Sequence, residues 1–218
     1  QVTHVAKRGP ALRMSRTRGL LRVLVIFELP APGKVDGPRL TGRKLATLVI
    51  ANVDLTVERA AHGPLVGQPL RGVQLHEAVA FGAVTAGFHF FAGYTITPAT
   101  TILNTMLSLL PPAGGVCLQG EDEIASIVFC LGAAMAGAKA MTATSGPGIS
   151  LYSEQISFAV GSEIPLVIVN VQRLGPSTGS ATKGADGDIQ FMRWGNSSGQ
   201  PVIVLAPVDG RDCYALTV

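Results

Sequence analysis

The sequence predicts an α/β protein built on a doubly wound parallel sheet. Runs such as "PLVIVNVQ" (165–172) are apolar but for one or two residues, as strands covered on both faces are. Between such runs lie segments of roughly ten to fifteen residues with helical spacing, the signature of βαβ units. Only 14% of the 218 residues are charged and 47% are hydrophobic, which excludes a disordered or fibrous chain and provides for a buried core.

The elements follow in order from residue 75. "LHEAVAFGAVTAG" (75–87) has helical spacing with Gly87 as its stop, and "FHFFAGY" (88–94) continues as a strand. "ATTILNTMLSLLPP" (99–112) is a helix ended by proline, and "GVCLQG" (115–120) is a short strand. Residues 122–136 predict a helix, because Ile124, Ile127, Val128, Leu131 and Met135 recur at helical spacing. Its other face is small, with Gly132, Ala133, Ala136 and Gly137 permitting close backbone approach. "AKAMTAT" (138–144) is a strand, "SLYSEQISFAVGSE" (150–163) one helix, "PLVIVNVQ" a buried strand and "PVIVLAP" (201–207) a last one. Upstream, "KLATLVIANVDL" (44–55) reads either as a strand or as half a helix, with no assigned role.

The chain divides into residues 1–71 and an α/β unit, 72–218. Twelve of the seventeen basic residues lie in the first 71 positions, against four acids, so the net charge of +3 conceals a basic leader and an acidic remainder. Residues 1–22 carry six basic residues and no acid, as a targeting extension, a disordered leader or a nucleic-acid arm would. No aromatic residue is interleaved there, which argues against nucleic acid. Residues 63–72, with their glycines and prolines, read as a linker.

Residues 78–120 contain no Lys, Arg, Asp or Glu, which raises the question of a membrane span. Pro98, Pro111, Pro112 and several glycines cut the stretch into pieces too short for about 30 Å of hydrocarbon, so it reads as soluble core. Cys117, Cys130 and Cys213 are scattered and lack C-x-x-C spacing, so no disulfide framework and no metal site is expected, and a reducing cytoplasm fits.

In open parallel sheets ligands bind beyond the carboxyl ends of the strands. The polar residues of interest fall there: Thr95 and Thr97 after one strand, Glu121, Asp122 and Glu123 after the next, the turn Thr144-Ser145-Gly146-Pro147-Gly148 after a third, and Arg173 after a fourth. Three acids at a helix start can simply cap it and complement its dipole. Glu121 and Asp122 occupy cap and first-turn positions, whereas Glu123 is one residue further in, where a carboxylate can hold a ring nitrogen by a charge-assisted hydrogen bond. The "TSGPG" turn is neither a Walker loop nor G-x-G-x-x-G, and reads as a tight, close-packed loop. Arg173 suits either a carboxylate ligand or an interface salt bridge.

Four segments, "FAGYTITPATTIL", "QGEDEIASIVFCLGAAMAGAKAMTATSGPGISL", "PLVIVNVQRLGPSTG" and "VIVLAPVDGRDCY", resemble the alpha subunit of 2-oxoacid:ferredoxin oxidoreductases, over residues 75–218. The resemblance implies the pyrimidine-binding domain of a thiamine-diphosphate enzyme, in which a glutamate hydrogen-bonds N1′ of the aminopyrimidine and favours its imino tautomer. Glu123 is the matching position, nine residues before Gly132. Thr97 then lies near cofactor and substrate, Thr144, Ser145 and Gly146 line the cofactor, and Arg173 pairs with the substrate carboxylate. A beta subunit supplies the other half of the site with its magnesium ion and iron–sulfur cluster, ferredoxin takes the electrons, and coenzyme A takes the acyl group. Residues 1–71 become a leader or the remnant of a fused gamma-type domain, and the chain ends short of a full alpha subunit. The sequence departs from the family pattern at Thr95, Asp186 and Ser197, leaving the choice of 2-oxoacid open. Other readings are another thiamine-dependent oxidoreductase, acting on pyruvate or indolepyruvate, and a non-catalytic assembly subunit.

Overall fold

The structure, a computed structural model, describes residues 48–53, 64–65, 68–69, 73–185, 187–197 and 202–218. Residues 1–47 of the basic leader and Asp186 lie outside the described residues. Six parallel strands form one sheet: β1 (Leu48–Val53), β4 (Phe90–Gly93), β5 (Val116–Gln119), β6 (Ala140–Ser145), β7 (Leu166–Val171) and β8 (Ile203–Leu205), in the order β5-β4-β6-β7-β1-β8. The ambiguous segment "LVIANV" is thus a strand, paired in register with the near-identical "LVIVNV" of β7 from Leu48↔Leu166 to Val53↔Val171. Within the linker-like stretch, β2 (Pro64–Leu65) pairs antiparallel with β3 (Gln68–Pro69).

Helices cover both faces. On one, α1 (Leu75–Thr85), α2 (Thr100–Leu109) and α7 (Gly210–Thr217) pack around Phe91, Met141, Ala143, Val169 and Val171. On the other, α3 (Glu123–Met135), α4 (Gly146–Leu151), α5 (Ser153–Gly161) and α6 (Gly187–Trp194) pack around Ala92, Ala140, Leu166 and Ile168. The chain leaves β4 for β5 on one side and β6 for β7 on the other, so the connections diverge at the β4/β6 boundary, where an open α/β sheet forms its crevice.

The residues of β6 and β7 that face α4, α5 and α6 change character toward that end. Ala140 gives way to Thr142 and Thr144, and Leu166 and Ile168 give way to Asn170, with Thr144 directly beside Asn170 in register. All three polar residues are fully buried, so the sheet turns from core to site within two residues.

Two expectations are corrected. Residues 150–163 are not one helix, because α4 begins at Gly146, with proline in its first turn, and gives way to α5 at Tyr152. Proline is tolerated there because first-turn amides have no intrahelical acceptor, so the "TSGPG" segment closes a strand and opens a helix. On α3, Ile127, Cys130, Leu131 and Ala134 are buried, while Ile124, Val128, Phe129 and Met135 face outward. The apolar spacing therefore extends around both sides of this helix and marks no single core face.

The pairing of α1 with α7 depends on Gly82. A Cβ there would stand 2.8 Å from the Tyr214 carbonyl oxygen and 2.9 Å from Thr217 Cβ. Gly82→Val is expected to destabilise the chain by about 1–3 kcal/mol, as overpacking of a tight contact does. Denaturant titration checks this, and an unshifted midpoint would mean the two helices are not held at that distance.

His76, near the start of α1, is buried with neither ring nitrogen hydrogen-bonded among the described residues. Burial lowers its pKa below 6.5, opposed by the Glu77 charge. As pH falls through 6.5 the unfolded chain takes up this proton while the folded chain resists it, so stability present above that pH is lost on acidification. His76→Leu is expected to reduce the slope of stability against pH between about pH 6.5 and 5.5, where one such proton contributes at most about 1.4 kcal/mol per pH unit. Equal slopes for the variant and the parent chain would contradict this.

Candidate functional site

The acid trio resolves into distinct roles. Glu121 and Asp122 are exposed, and Asp122 is the N-cap of α3, its carboxylate accepting from the Ala125 amide at 2.7 Å. Its carbonyl accepts from the Ser126 hydroxyl at 2.8 Å, which fastens the first turn. With the helix start so satisfied, Glu123 is not needed as a cap, yet it is only 8% exposed. A carboxylate removed from water needs a compensating partner.

What surrounds Glu123 is backbone and hydroxyl. A Cβ on Gly148 would lie 2.9 Å from Glu123 Cγ, 3.2 Å from its Oε1 and 1.9 Å from Thr144 Oγ1, so Gly148 lets the α4 backbone lie against both side chains. The Thr144 hydroxyl is fully buried near the Tyr152 phenol, with no hydrogen bond of ordinary geometry among the described residues. Behind it, the Tyr152 and Thr142 hydroxyls are 3.0 Å apart, and burial pushes the Tyr152 phenol well above its usual pKa, the Thr142 bond opposing. This end of the sheet therefore carries one buried carboxylate beside a buried hydroxyl.

The second part is built on Arg173, 7% exposed at the end of β7. Its Nη1 donates to the Thr97 carbonyl at 2.8 Å and its Nη2 to the Thr178 carbonyl, so the guanidinium ties the loop after β4 to the loop after β7. Nε has no partner, and no carboxylate pairs with the guanidinium among the described residues. The 174–180 loop is closed by a Leu174↔Ser180 bridge, and Gly179 is required there, with φ at +44° and a Cβ that would fall 1.7 Å from the Leu174 carbonyl oxygen. Thr97 itself is exposed on its loop beside Thr95.

The remaining candidates are bracing groups. The Ser145 hydroxyl donates to the Val171 carbonyl at 2.7 Å, which makes it a tie between β6 and β7. Gly146 faces Asp188, whose carboxylate oxygens would lie 3.1 and 3.3 Å from a Cβ at that position. Sequence reading missed Asp188 altogether. Its only sequence signal is an acid in the first turn of α6, a helix of only eight residues, too short for a spacing to repeat. Ser197, one of the departures, is hydrogen-bonded through its amide to the Ser157 hydroxyl at 3.1 Å and stays at the surface. Burial pushes the thiols of Cys117, Cys130 and Cys213 up to about 12, so they are neutral at physiological pH.

Residues 81–218 match the family described as "Pyruvate flavodoxin/ferredoxin oxidoreductase, thiamine diP-bdg", and the chain belongs to it. It is 53% identical over 146 residues to the 2-oxoglutarate synthase subunit KorA of Archaeoglobus fulgidus, covering 67% of this chain and 42% of that protein. It is 41% identical over 146 residues to the ketoisovalerate oxidoreductase subunit VorB of Methanothermobacter thermautotrophicus, with 67% and 42% covered. A solved 2-oxoglutarate:ferredoxin oxidoreductase from Magnetococcus marinus, with 2-oxoglutarate, coenzyme A and succinyl-CoA bound, superposes with a TM-score of 0.64 at 46% identity, over 66% of this chain and 25% of that one. The chain thus spans about two fifths of the length of these curated relatives.

The residues present fit the cofactor the family implies. An aminopyrimidine edge offers a ring nitrogen to a carboxylate and polar groups to a hydroxyl, and Glu123 and Thr144 present those functions beside a bare Gly148 backbone that any side chain would fill.

Proposed function

We propose that the chain is the pyrimidine-binding part of an alpha subunit of a 2-oxoacid:ferredoxin oxidoreductase, working in coenzyme-A-dependent oxidative decarboxylation. The observation that carries this is the Glu123 carboxylate, buried without need of it at the helix start and set against Gly148 and Thr144. Bound thiamine diphosphate supplies an electron sink for cleavage of the bond between the 2-oxo carbon and its carboxylate. Glu123 holds a proton at ring nitrogen N1′ by a charge-assisted hydrogen bond. Thr144, Ser145 and Gly146 form the wall against which the cofactor rests, and Thr97 lines the approach to the reacting carbon. Arg173 grips the substrate carboxylate: a buried guanidinium held by two carbonyls and by no carboxylate among the described residues keeps its charge available for an anion.

Residues 72–218, joined in the sheet by β1 from the upstream segment, form the pyrimidine-binding unit in this reading, and the rest of residues 1–71 a leader or a gamma-type remnant. The magnesium ion and iron–sulfur cluster belong to a partner beta subunit, which passes electrons to ferredoxin in a reducing cytoplasm. The outward apolar residues Ile124, Val128, Phe129 and Met135 of α3, with Val116 and Leu118 on the sheet edge, support such a partner. Among the described residues no helix is long and apolar enough to cross a membrane. Both 2-oxoglutarate and a branched-chain 2-oxoacid stand as substrates, because similarity extends to relatives named for each. Purification of the native complex and a panel of 2-oxoacids, with coenzyme A and a viologen acceptor, tests the reading. Reduction that requires both one 2-oxoacid and coenzyme A is expected, and a complex inert toward the whole panel would refute it.

A further inference from the structure

We propose that Asp188 is a positioning residue that sets the aim of Arg173 and thereby the affinity for the 2-oxoacid; this rests on the function proposed above. Asp188 lies in the first turn of α6, half-buried, across from the ends of β6 and β7. Its Oδ2 accepts from Asn170 Nδ2 at 3.2 Å and from the Arg173 backbone amide at 3.4 Å. The same carboxylate rests against Gly146, the first residue of α4, closely enough that a Cβ there would meet it at 3.1 Å. One side chain therefore braces the end of β7, the arginine beyond it and the opening of α4.

The bond goes to the Arg173 main chain, and no ion pair joins Asp188 to the guanidinium among the described residues. This separation matters. A carboxylate on the guanidinium would neutralise the charge an anionic substrate needs, whereas one on the backbone fixes where the side chain starts without capping the guanidinium. From that anchored start the guanidinium reaches the Thr97 and Thr178 carbonyls, so the chain of contacts runs from α6 through Arg173 to both rim loops. Burial raises the Asp188 pKa, opposed by the Asn170 and Arg173 hydrogen bonds and then the Arg173 charge, which marks a carboxyl group kept in a costly place for the geometry it imposes.

The test is steady-state kinetics and thiamine diphosphate titration on the assembled complex carrying Asp188→Asn or Asp188→Glu, with Arg173→Lys alongside. Asparagine keeps an oxygen that accepts the same N–H, and KM for the 2-oxoacid is expected within about threefold of the parent. Glutamate is a methylene too long for the gap to Gly146 and is expected to raise KM about tenfold or more, with a smaller loss of thiamine diphosphate affinity passed through Gly146. Asp188→Ala replaces Asp188→Glu if the latter does not assemble, with the same expected rise. Equal KM values across the residue 188 variants, or a KM rise matched by an equal loss of cofactor affinity, would overturn the proposal. Should Arg173→Lys leave KM unaltered, the underlying assignment of Arg173 fails instead, whatever residue 188 does.

Discussion

Glu123→Gln in the assembled complex is expected to reduce coenzyme-A-dependent turnover by about a hundredfold or more, in the range found when a positioned acid–base group is removed. The amide is nearly isosteric, so the contacts with Gly148 and the packing beside Thr144 should survive, and thermal stability should change little. What is lost is the charge: an amide cannot share a proton with a ring nitrogen as a carboxylate does. Glu121→Gln and Asp122→Asn serve as controls because both positions are exposed, and asparagine still caps a helix. Near-normal turnover in Glu123→Gln, with a collapse in Glu121→Gln, would move the role by two residues.

Arg173→Lys is expected to lower kcat/KM roughly ten- to a hundredfold, mainly through KM, since a charged hydrogen bond contributes about 1.5–3 kcal/mol. Lysine offers a point charge in place of a planar fork, and it cannot reach the Thr97 and Thr178 carbonyls together as the two terminal nitrogens do. A purely structural arginine predicts a different pattern. Thermal stability and subunit association would then fall while the KM of the surviving complex stayed the same. Kinetics paired with size-exclusion chromatography separates the two.

The sequence makes the alternation of strands and helices from residue 75 onward plain, because buried parallel strands such as "LVIVNV" cannot avoid long apolar runs. It also singles out Glu123, since of three adjacent acids only one can be the cap and only one lies a residue deeper. Helices α6 and α7 are not legible in the same way. "GDIQFMRW" and "GRDCYALT" are too short to repeat an apolar spacing, and each is anchored by a deeply buried side chain, Met192 and Cys213, whose burial is decided by distant partners. The two-sided apolar surface of α3 is hidden for the opposite reason: apolar spacing does not say whether the sheet or another surface covers a given residue. Ser145 and Asp188 owe their places to Val171, Asn170 and Arg173, contacts across 15 to 26 residues that no local pattern encodes.

The most direct measurement is a structure of the complete complex with thiamine diphosphate bound. The account predicts the Glu123 carboxylate within hydrogen-bonding distance of N1′, the Thr144 hydroxyl and Gly148 backbone against the pyrimidine, and Arg173 on the thiazolium side, still joined to the Thr97 carbonyl. A cofactor whose pyrimidine nitrogen meets Asp188 or a residue of another subunit, with Glu123 away from the ring, would contradict it.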